Sequence, residues 1–514
     1  MFATKRKLIV AGLLAIAASL AAQPVFAHGL GDRYDLPIPL TYFVVGAVAS
    51  VALSFVVVGL FVQGESASYS YPRYNLLQQR WFSWTLGGPW FIALIRAFSV
   101  VLLLLVVATA FGGTNRPLEN FSPTFVLILW WVGFGYISAV FGNVWMFVNP
   151  WKITYEWIEG LVSRGRRRPY LYRYPKKWGV WPAVILFLLF AWMENVYSGI
   201  SEPAKLGTLV ILYSFITWLG MFIYGKHVWL KNGEAFSVLF GIFSRFSPTE
   251  VRVIDAAKTC RKCQEECEPV DGTCVDCYAC FERAESENRE FNVRPYALGL
   301  ARPEKISNSM LVFVVLMLAT VSFDGLGETS AWNSVIRFFQ DNVSVGITDT
   351  VNTFGLLLAP VAFLIVYAGF SWLMRAVSGV PDSTWRLARL FVFSLVPIAL
   401  AYHISHYLSF LTGSGQLIIP LISDPFGFGW DLFGTADYRF NPFIINAKFV
   451  WFTSIVAIVL GHIIAVYLAH LVSLREIKNH SQALRSQYPM LALMVVYTAT
   501  SLWIIAQPLV GIGS

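Results

Sequence analysis

Ten apolar stretches of roughly 20 residues constrain this chain more than any other sequence feature. A helix of about 20 apolar residues is long enough to cross the ~30 Å hydrocarbon core of a bilayer. Only 13% of the residues are charged, about half the share in a soluble globular protein. The sequence therefore predicts an all-α integral membrane protein, a polytopic bundle of about ten transmembrane helices. The predicted spans are 38–62, 91–111, 122–148, 180–197, 206–225, 308–324, 350–374, 387–411, 447–470 and 489–509.

The amino terminus has the pattern of a cleavable signal peptide over residues 1–27. A basic segment precedes an apolar segment of small residues, and Val25-Phe26-Ala27 fits a cleavage site. A retained first helix is the alternative. Cleavage would place His28 first on the extracytoplasmic side, and most of the 38 Lys and Arg residues would then lie in loops on the other side. This asymmetry follows the positive-inside rule and predicts a multi-pass protein of the inner (plasma) membrane.

The predicted spans divide the chain into three parts. Residues 28–225 form a first membrane half of about five helices, 226–307 a cytosolic loop, and 308–514 a second half of about five helices. Halves of opposite orientation are one way in which secondary transporters are built. Within the loop, 233–246 is too short to span and is expected at the membrane interface. The capping-box spacing of Ser247 to Glu250 predicts a short helix running towards the cysteines.

All six cysteines lie within residues 260–280 of this loop, as Cys260, Cys263, Cys267, Cys274, Cys277 and Cys280. Clustered thiolates favour zinc or an iron–sulfur cluster, whereas structural disulfides are rare in a reducing cytoplasm. For zinc, the two C-x2-C pairs Cys260/Cys263 and Cys274/Cys277 supply four ligands and leave two cysteines spare. For iron–sulfur, Cys274, Cys277 and Cys280 form half of a ferredoxin pattern. The spacing alone leaves both open.

Ionisable residues within apolar spans are expensive and are therefore functional candidates. Four of them are predicted near the extracytoplasmic ends of their helices. They are Glu194, Asp324, His403 and, one helical turn after His403, His406. With His28, the two histidines can form a nitrogen-rich copper site. The alternative is a set of separate residues that never meet.

The remaining intramembrane candidates are His462, His470 and Arg96. Haem is not expected, because His403 and His462 would differ in depth by about 12–15 Å and cannot face one iron. The C-x-x-C-H attachment motif is also missing from the sequence. Arg96 can equally extend its charge to the nearer membrane surface.

These features predict a metal-linked or redox-linked membrane function, in copper handling or electron transfer. One alternative is a secondary transporter in which the cysteine segment is structural, and another is an assembly scaffold for a membrane complex. Phosphate-loop, nucleophile-elbow and dinucleotide motifs are missing from the sequence, so whether the chain is an enzyme stays open. Expected partners are lipids and a redox or assembly protein. The net charge of +8 is attributed to basic loops, not to nucleic acid.

Overall fold

The structure is a computed structural model, and it describes part of the chain. The predicted signal peptide lies almost entirely outside that part. The described residues are 27–29, 32–34, 39–62, 71–85, 87–163, 170–260, 263, 267, 272–439, 441 and 444–507.

The described residues are mostly helical. The longer helices are α1 Leu40–Phe61, α2 Pro89–Gly112, α3 Phe121–Phe141, α4 Pro150–Ser163, α5 Trp181–Asn195, α6 Pro203–Tyr224, α7 Lys226–Asn232, α8 Ala235–Ser244, α9 Asn308–Gly327, α10 Ser330–Asn342, α11 Thr348–Ser378, α12 Thr384–Thr412, α13 Ala447–Glu476 and α14 His480–Ala506. Nine of these described helices are long and apolar enough to cross a membrane, namely α1, α2, α3, α6, α9 and α11 to α14. This is the composition of a multi-pass membrane protein.

Nine of the ten predicted spans correspond to these nine helices. The tenth, predicted over 180–197, corresponds to α5, which has 15 residues. At 1.5 Å per residue α5 is about 22 Å long, shorter than the ~30 Å core. Within the described residues, nine of the ten predicted spans are therefore helices long and apolar enough to cross a membrane.

The centre of the bundle is built on α9 and α12, the two most buried of the nine spans. Small residues let α12 approach α13 closely, as in many membrane helix pairs. A Cβ added at Gly461 would lie 2.6 Å from the Cβ of Ala401 and 2.7 Å from the carbonyl oxygen of Pro397. The interior of the bundle is thus formed by helices that carry Asp324, His403 and His406.

Helix α8 occupies a different place from the one predicted for 233–246. Phe236 is 3% exposed and Phe240 is fully buried, so the helix lies inside the bundle and not on a membrane surface. The ring of Phe236 packs 4.4 Å from that of Trp130 in α3. An interfacial helix needs one polar face, whereas α8 is apolar all round, which is the pattern of a buried helix.

A four-stranded antiparallel sheet accompanies the cysteines. Its strands are β3 Tyr74–Asn75, β4 Thr249–Val253, β5 Cys274–Val275 and β6 Arg289–Val293, in the order β3-β6-β4-β5; a separate pair is β1 Ala27–Gly29 with β2 Asp32–Tyr34. The helix predicted from Ser247 is wrong, because Thr249–Val253 is a strand. Val251 and Val253 are buried, and pairing of this segment with β5 and β6 outweighs the local capping signal.

The sheet, the cysteines and several interhelical loops meet at one end of the bundle, here called the module face. Lys152 of α4 pairs with Glu282, and the guanidinium of Arg475 in α13 donates to the carbonyl of Ala301. Asn308, which accepts from Arg389, begins α9 on this side. Asp324 lies 16 residues further along α9, about 24 Å from the module face.

Candidate functional site

The six cysteines converge on one small cluster, called the cysteine module (260–284). Cys274 is in β5 and Cys280 is in the short helix Tyr278–Arg283, and both are buried. The sulfur atoms of Cys263 and Cys277 are 3.7 Å apart. Those of Cys267 and Cys280 are 3.6 Å apart. A disulfide bond is about 2.05 Å long, so these sulfurs are unbonded thiols at contact distance.

Two overlapping groups of four cysteines could each hold a metal ion. They are Cys260, Cys267, Cys274 and Cys280, and Cys263, Cys267, Cys277 and Cys280, with all sulfurs of a group within 4.8 Å of one another. Tetrahedral zinc with Zn–S bonds of about 2.3 Å needs sulfurs about 3.8 Å apart. The prediction of a cysteine metal site is thus supported in geometry. Neither group is the expected set of two C-x2-C pairs, because each takes one cysteine from each pair and adds Cys267 and Cys280.

The backbone at Asp276 holds the second cysteine triplet (Cys274, Cys277 and Cys280) near the first (Cys260, Cys263 and Cys267). Asp276, between Cys274 and Cys277, has a φ of 54°, in the left-handed region that Asp tolerates better than most residues. Its amide donates to the carbonyl of Val251 at 2.9 Å. The tight turn therefore anchors the cysteines to β4.

A second polar cluster lies in the bundle interior, far from the cysteines. The carboxylate of Asp324 in α9 is 2.9 Å from Nε2 of His406 in α12. The Tyr407 hydroxyl is 2.6 Å from the same Asp324 oxygen and 3.3 Å from Glu194 of α5. Three helices thus contribute to one connected group, called the acid–histidine cluster (Glu194, Asp324, His406 and Tyr407). Three of the sequence candidates therefore meet.

His403 borders this cluster but has another partner. Its Nε2 is 3.3 Å from the carbonyl oxygen of Val132, while its ring lies 4.9 Å from that of Tyr407. A Cβ added at Gly135 would be 2.6 Å from this Nε2, so α3 admits the imidazole only because residue 135 is glycine. The Nε2 atoms of His403 and His406 thus have different partners, the carbonyl of Val132 and the carboxylate of Asp324. The side chain of His28 lies outside the described residues, so the copper site stays a prediction.

Tyr407 was missed as a candidate by the sequence analysis. It is 6% exposed and connects two carboxyl groups from different helices. Its position four residues after His403, on the same helix face, was the available signal. Tyrosine is common at membrane interfaces, which makes this signal weak.

The other intramembrane candidates have local partners. The two ring nitrogens of His470 lie 2.9 Å from Oε1 of Gln487 and 3.0 Å from the carbonyl oxygen of Val62, so this residue joins α13 to α14 and to the end of α1. Nδ1 of His462 lies 2.8 Å from the carbonyl oxygen of Ile458, one turn earlier in α13. Arg96 of α2 forms an ion pair with Glu156 of α4.

The Glu156 ion pairs predict a pH dependence of stability. Burial acts to raise the pKa of Glu156, but Lys152, Lys226 and Arg96 outweigh it and lower the pKa to about 2. Because the pKa of Glu156 is lower in the folded protein than the value of 4.5 in the unfolded chain, its carboxylate stabilises the fold at pH values above 4.5. This contribution disappears as the pH falls towards 2. Glu156→Gln should therefore flatten the loss of stability across that window, by at most about 3 kcal/mol.

The measurement is the thermal unfolding midpoint in detergent at a series of pH values. Glu119→Gln is the matched control, because Glu119 pairs with Arg116 on the surface, where the two side chains are 52% and 76% exposed. Equal pH profiles for Glu156→Gln and the wild type would contradict the assignment.

Function must be argued from these two sites alone. The cysteine module offers thiolates at metal-binding distance, and the acid–histidine cluster offers exchangeable protons in an apolar interior. No protein-family model, no curated protein and no solved structure matches this chain.

Proposed function

We propose that this protein is a secondary transporter whose solute movement is coupled to protonation of the acid–histidine cluster. The observation that carries the proposal is the convergence of Glu194, Asp324 and His406 from three helices. The metal-bound cysteine module then has a structural role at the module face.

The cost of placing these groups in the bundle favours a functional reason for their presence. Ion pairs inside an apolar core often contribute no more stability than apolar side chains of similar volume. Titratable residues within membrane spans commonly form proton relays in pumps and transporters. Tyr407 links the two carboxyl groups, so a proton can pass between Glu194 and Asp324 through one hydroxyl.

Two cavities suggest how the cluster could be reached. An open vestibule of about 410 Å³ lies at the module face, and Val238 and Ile242 of α8 line it. A second cavity has a volume of about 20 Å³, roughly the space of one water molecule. It lies against other residues of α8, Leu239 and Phe243, and is also lined by Glu194. Helix α8 therefore separates the vestibule from the acid–histidine cluster. Its displacement would connect them, as alternating access requires.

The redox-linked hypothesis depends on an iron–sulfur cluster in the cysteine module. A cubane places irons and sulfides between its four thiolates. The two cysteine groups instead hold their sulfurs within 4.8 Å, which fits thiolates bound directly to single ions. The assembly-scaffold hypothesis does not require the acid–histidine cluster. Both remain less favoured proposals.

The test uses proteoliposomes that contain the full chain and the pH dye pyranine. Panels of amino acids, sugars, organic anions and divalent cations are added outside, and the luminal pH is recorded. At least one panel should shift the pH. Asp324→Asn and Glu194→Gln should each reduce the initial rate at least tenfold, because neither amide can carry the proton.

Asp349→Asn is the matched control, since Asp349 is an exposed acid in the first turn of α11. It should keep the wild-type rate. Infrared pH titration of detergent-solubilised protein provides a readout that needs no solute. A carboxyl band should titrate in the wild type and change in both cluster variants. The same titrating carboxyl bands in the wild type and both variants, or full transport by both variants, would refute the proposal.

A further inference from the structure

The two metal-binding groups of the cysteine module share two members. Cys267 and Cys280 belong to both groups, and their sulfurs are 3.6 Å apart. The remaining four cysteines divide into one pair for each group. These pairs are Cys260 with Cys274 and Cys263 with Cys277. Each pair takes one member from each cysteine triplet, and so does the shared pair.

This arrangement matches two tetrahedra that share an edge. A zinc ion with Zn–S bonds of about 2.3 Å requires tetrahedral edges of about 3.8 Å. The shared edge between Cys267 and Cys280 is 3.6 Å. The edge between Cys263 and Cys277 is 3.7 Å. Both are therefore close to the length that one ion between the sulfurs would impose.

We propose that the cysteine module binds two zinc ions in a six-thiolate cluster, with Cys267 and Cys280 bridging both ions. Cys260 and Cys274 complete the coordination of one ion, and Cys263 and Cys277 complete that of the other. All six cysteines are then used, whereas a single ion would leave two unbound. The inference is independent of the transport proposal, because it concerns the module alone.

The surroundings suit the charge of such a cluster. Six thiolates outweigh two divalent ions, so the cluster carries net negative charge. Cys267 and Cys277 lie at the wall of the vestibule, whose lining has more basic than acidic residues: Lys231, Arg245, Arg302 and Lys305 against Asp276 and Glu304. Arg302 donates to the carbonyl of Val275, between two of the cysteines, at 2.9 Å. Positive charge is thus present at the side of the cluster that faces the vestibule.

The first test is the metal content of the full chain, purified in detergent with zinc in the growth medium. Elemental analysis should give two zinc ions per chain. X-ray absorption at the zinc edge should show four sulfur neighbours and a zinc–zinc vector, which only adjacent ions produce. All six cysteines of the protein are in this module, so a maleimide should label none of them before metal removal and six afterwards.

Variants separate bridging from terminal ligands. Cys260→Ala should reduce the content from two ions to one, because only one ion loses a ligand. Cys280→Ala should lower both occupancies and abolish the zinc–zinc vector. One zinc per chain with two labelled thiols in the wild type would overturn the proposal. Four irons with inorganic sulfide would also overturn it. These wild-type outcomes decide the question even if a variant fails to fold.

Discussion

Removing metal from the cysteine module is expected to unfold residues 272–284 while the membrane helices stay folded. The apolar contacts of the module come mainly from small side chains, including Ala256, Ala279 and Ala284. Such contacts bury little area, so metal–thiolate bonds must provide most of the stability. Structural zinc contributes about 10–16 kcal/mol in zinc-finger peptides. Its loss should therefore exceed what the module's own packing can replace.

Hydrogen exchange of the full chain before and after chelation measures this effect. Amides of Tyr278–Arg283 should lose their protection by several orders of magnitude after chelation, and zinc should restore it. Amides of α9 provide the internal control, because this helix is among the most buried of the nine spans. Unchanged protection of Tyr278–Arg283 in metal-free protein would contradict a structural metal. Simultaneous exposure of α9 would show that the module and the bundle unfold together.

The membrane helices were the part of the fold that sequence alone predicted best. Lipid imposes one requirement, a long apolar stretch, and that requirement is visible in composition without any knowledge of neighbours. Helix α8 lacks the length, and its burial depends on packing against Trp130 and other side chains from distant segments. Strand β4 depends on pairing with β6, where Val251 lies opposite Phe291. Neither contact has a local sequence signal.

The candidate sites show the same limit. The six cysteines were identifiable by their clustering, but the sharing of Cys267 and Cys280 depends on which sulfurs the fold brings together. Glu194 and Asp324 stood out individually as acids in apolar spans. Their connection required α5, α9 and α12 to be neighbours and Tyr407 to lie between them. Residue types therefore predicted the chemistry, and tertiary contacts determined which residues act together.

Replacing Glu250 should have the largest effect of any single substitution in the sheet of the module face. Its carboxylate accepts from the Tyr71 hydroxyl at 2.6 Å, from Nε of Arg73 at 2.9 Å and from Nη1 of Arg294 at 3.0 Å. The side chains of Glu250 and Arg294 are both fully buried. Glu250→Gln would remove the carboxylate that pairs with the buried guanidinium of Arg294, a change that typically costs about 3–5 kcal/mol.

The opening free energy of amides in Arg289–Val293, measured by native-state hydrogen exchange, reports this loss directly. Glu119→Gln serves as the control, because the exposed pair of Glu119 with Arg116 should contribute no more than about 1 kcal/mol. The double variant Glu250→Leu with Arg294→Met should recover part of the loss, since it removes both charges and keeps apolar volume. Such recovery would identify the charge of Arg294, no longer balanced by Glu250, as the cause. If the double variant were as unstable as the sum of two single losses, the hydrogen-bond geometry around Glu250 would be the larger contribution.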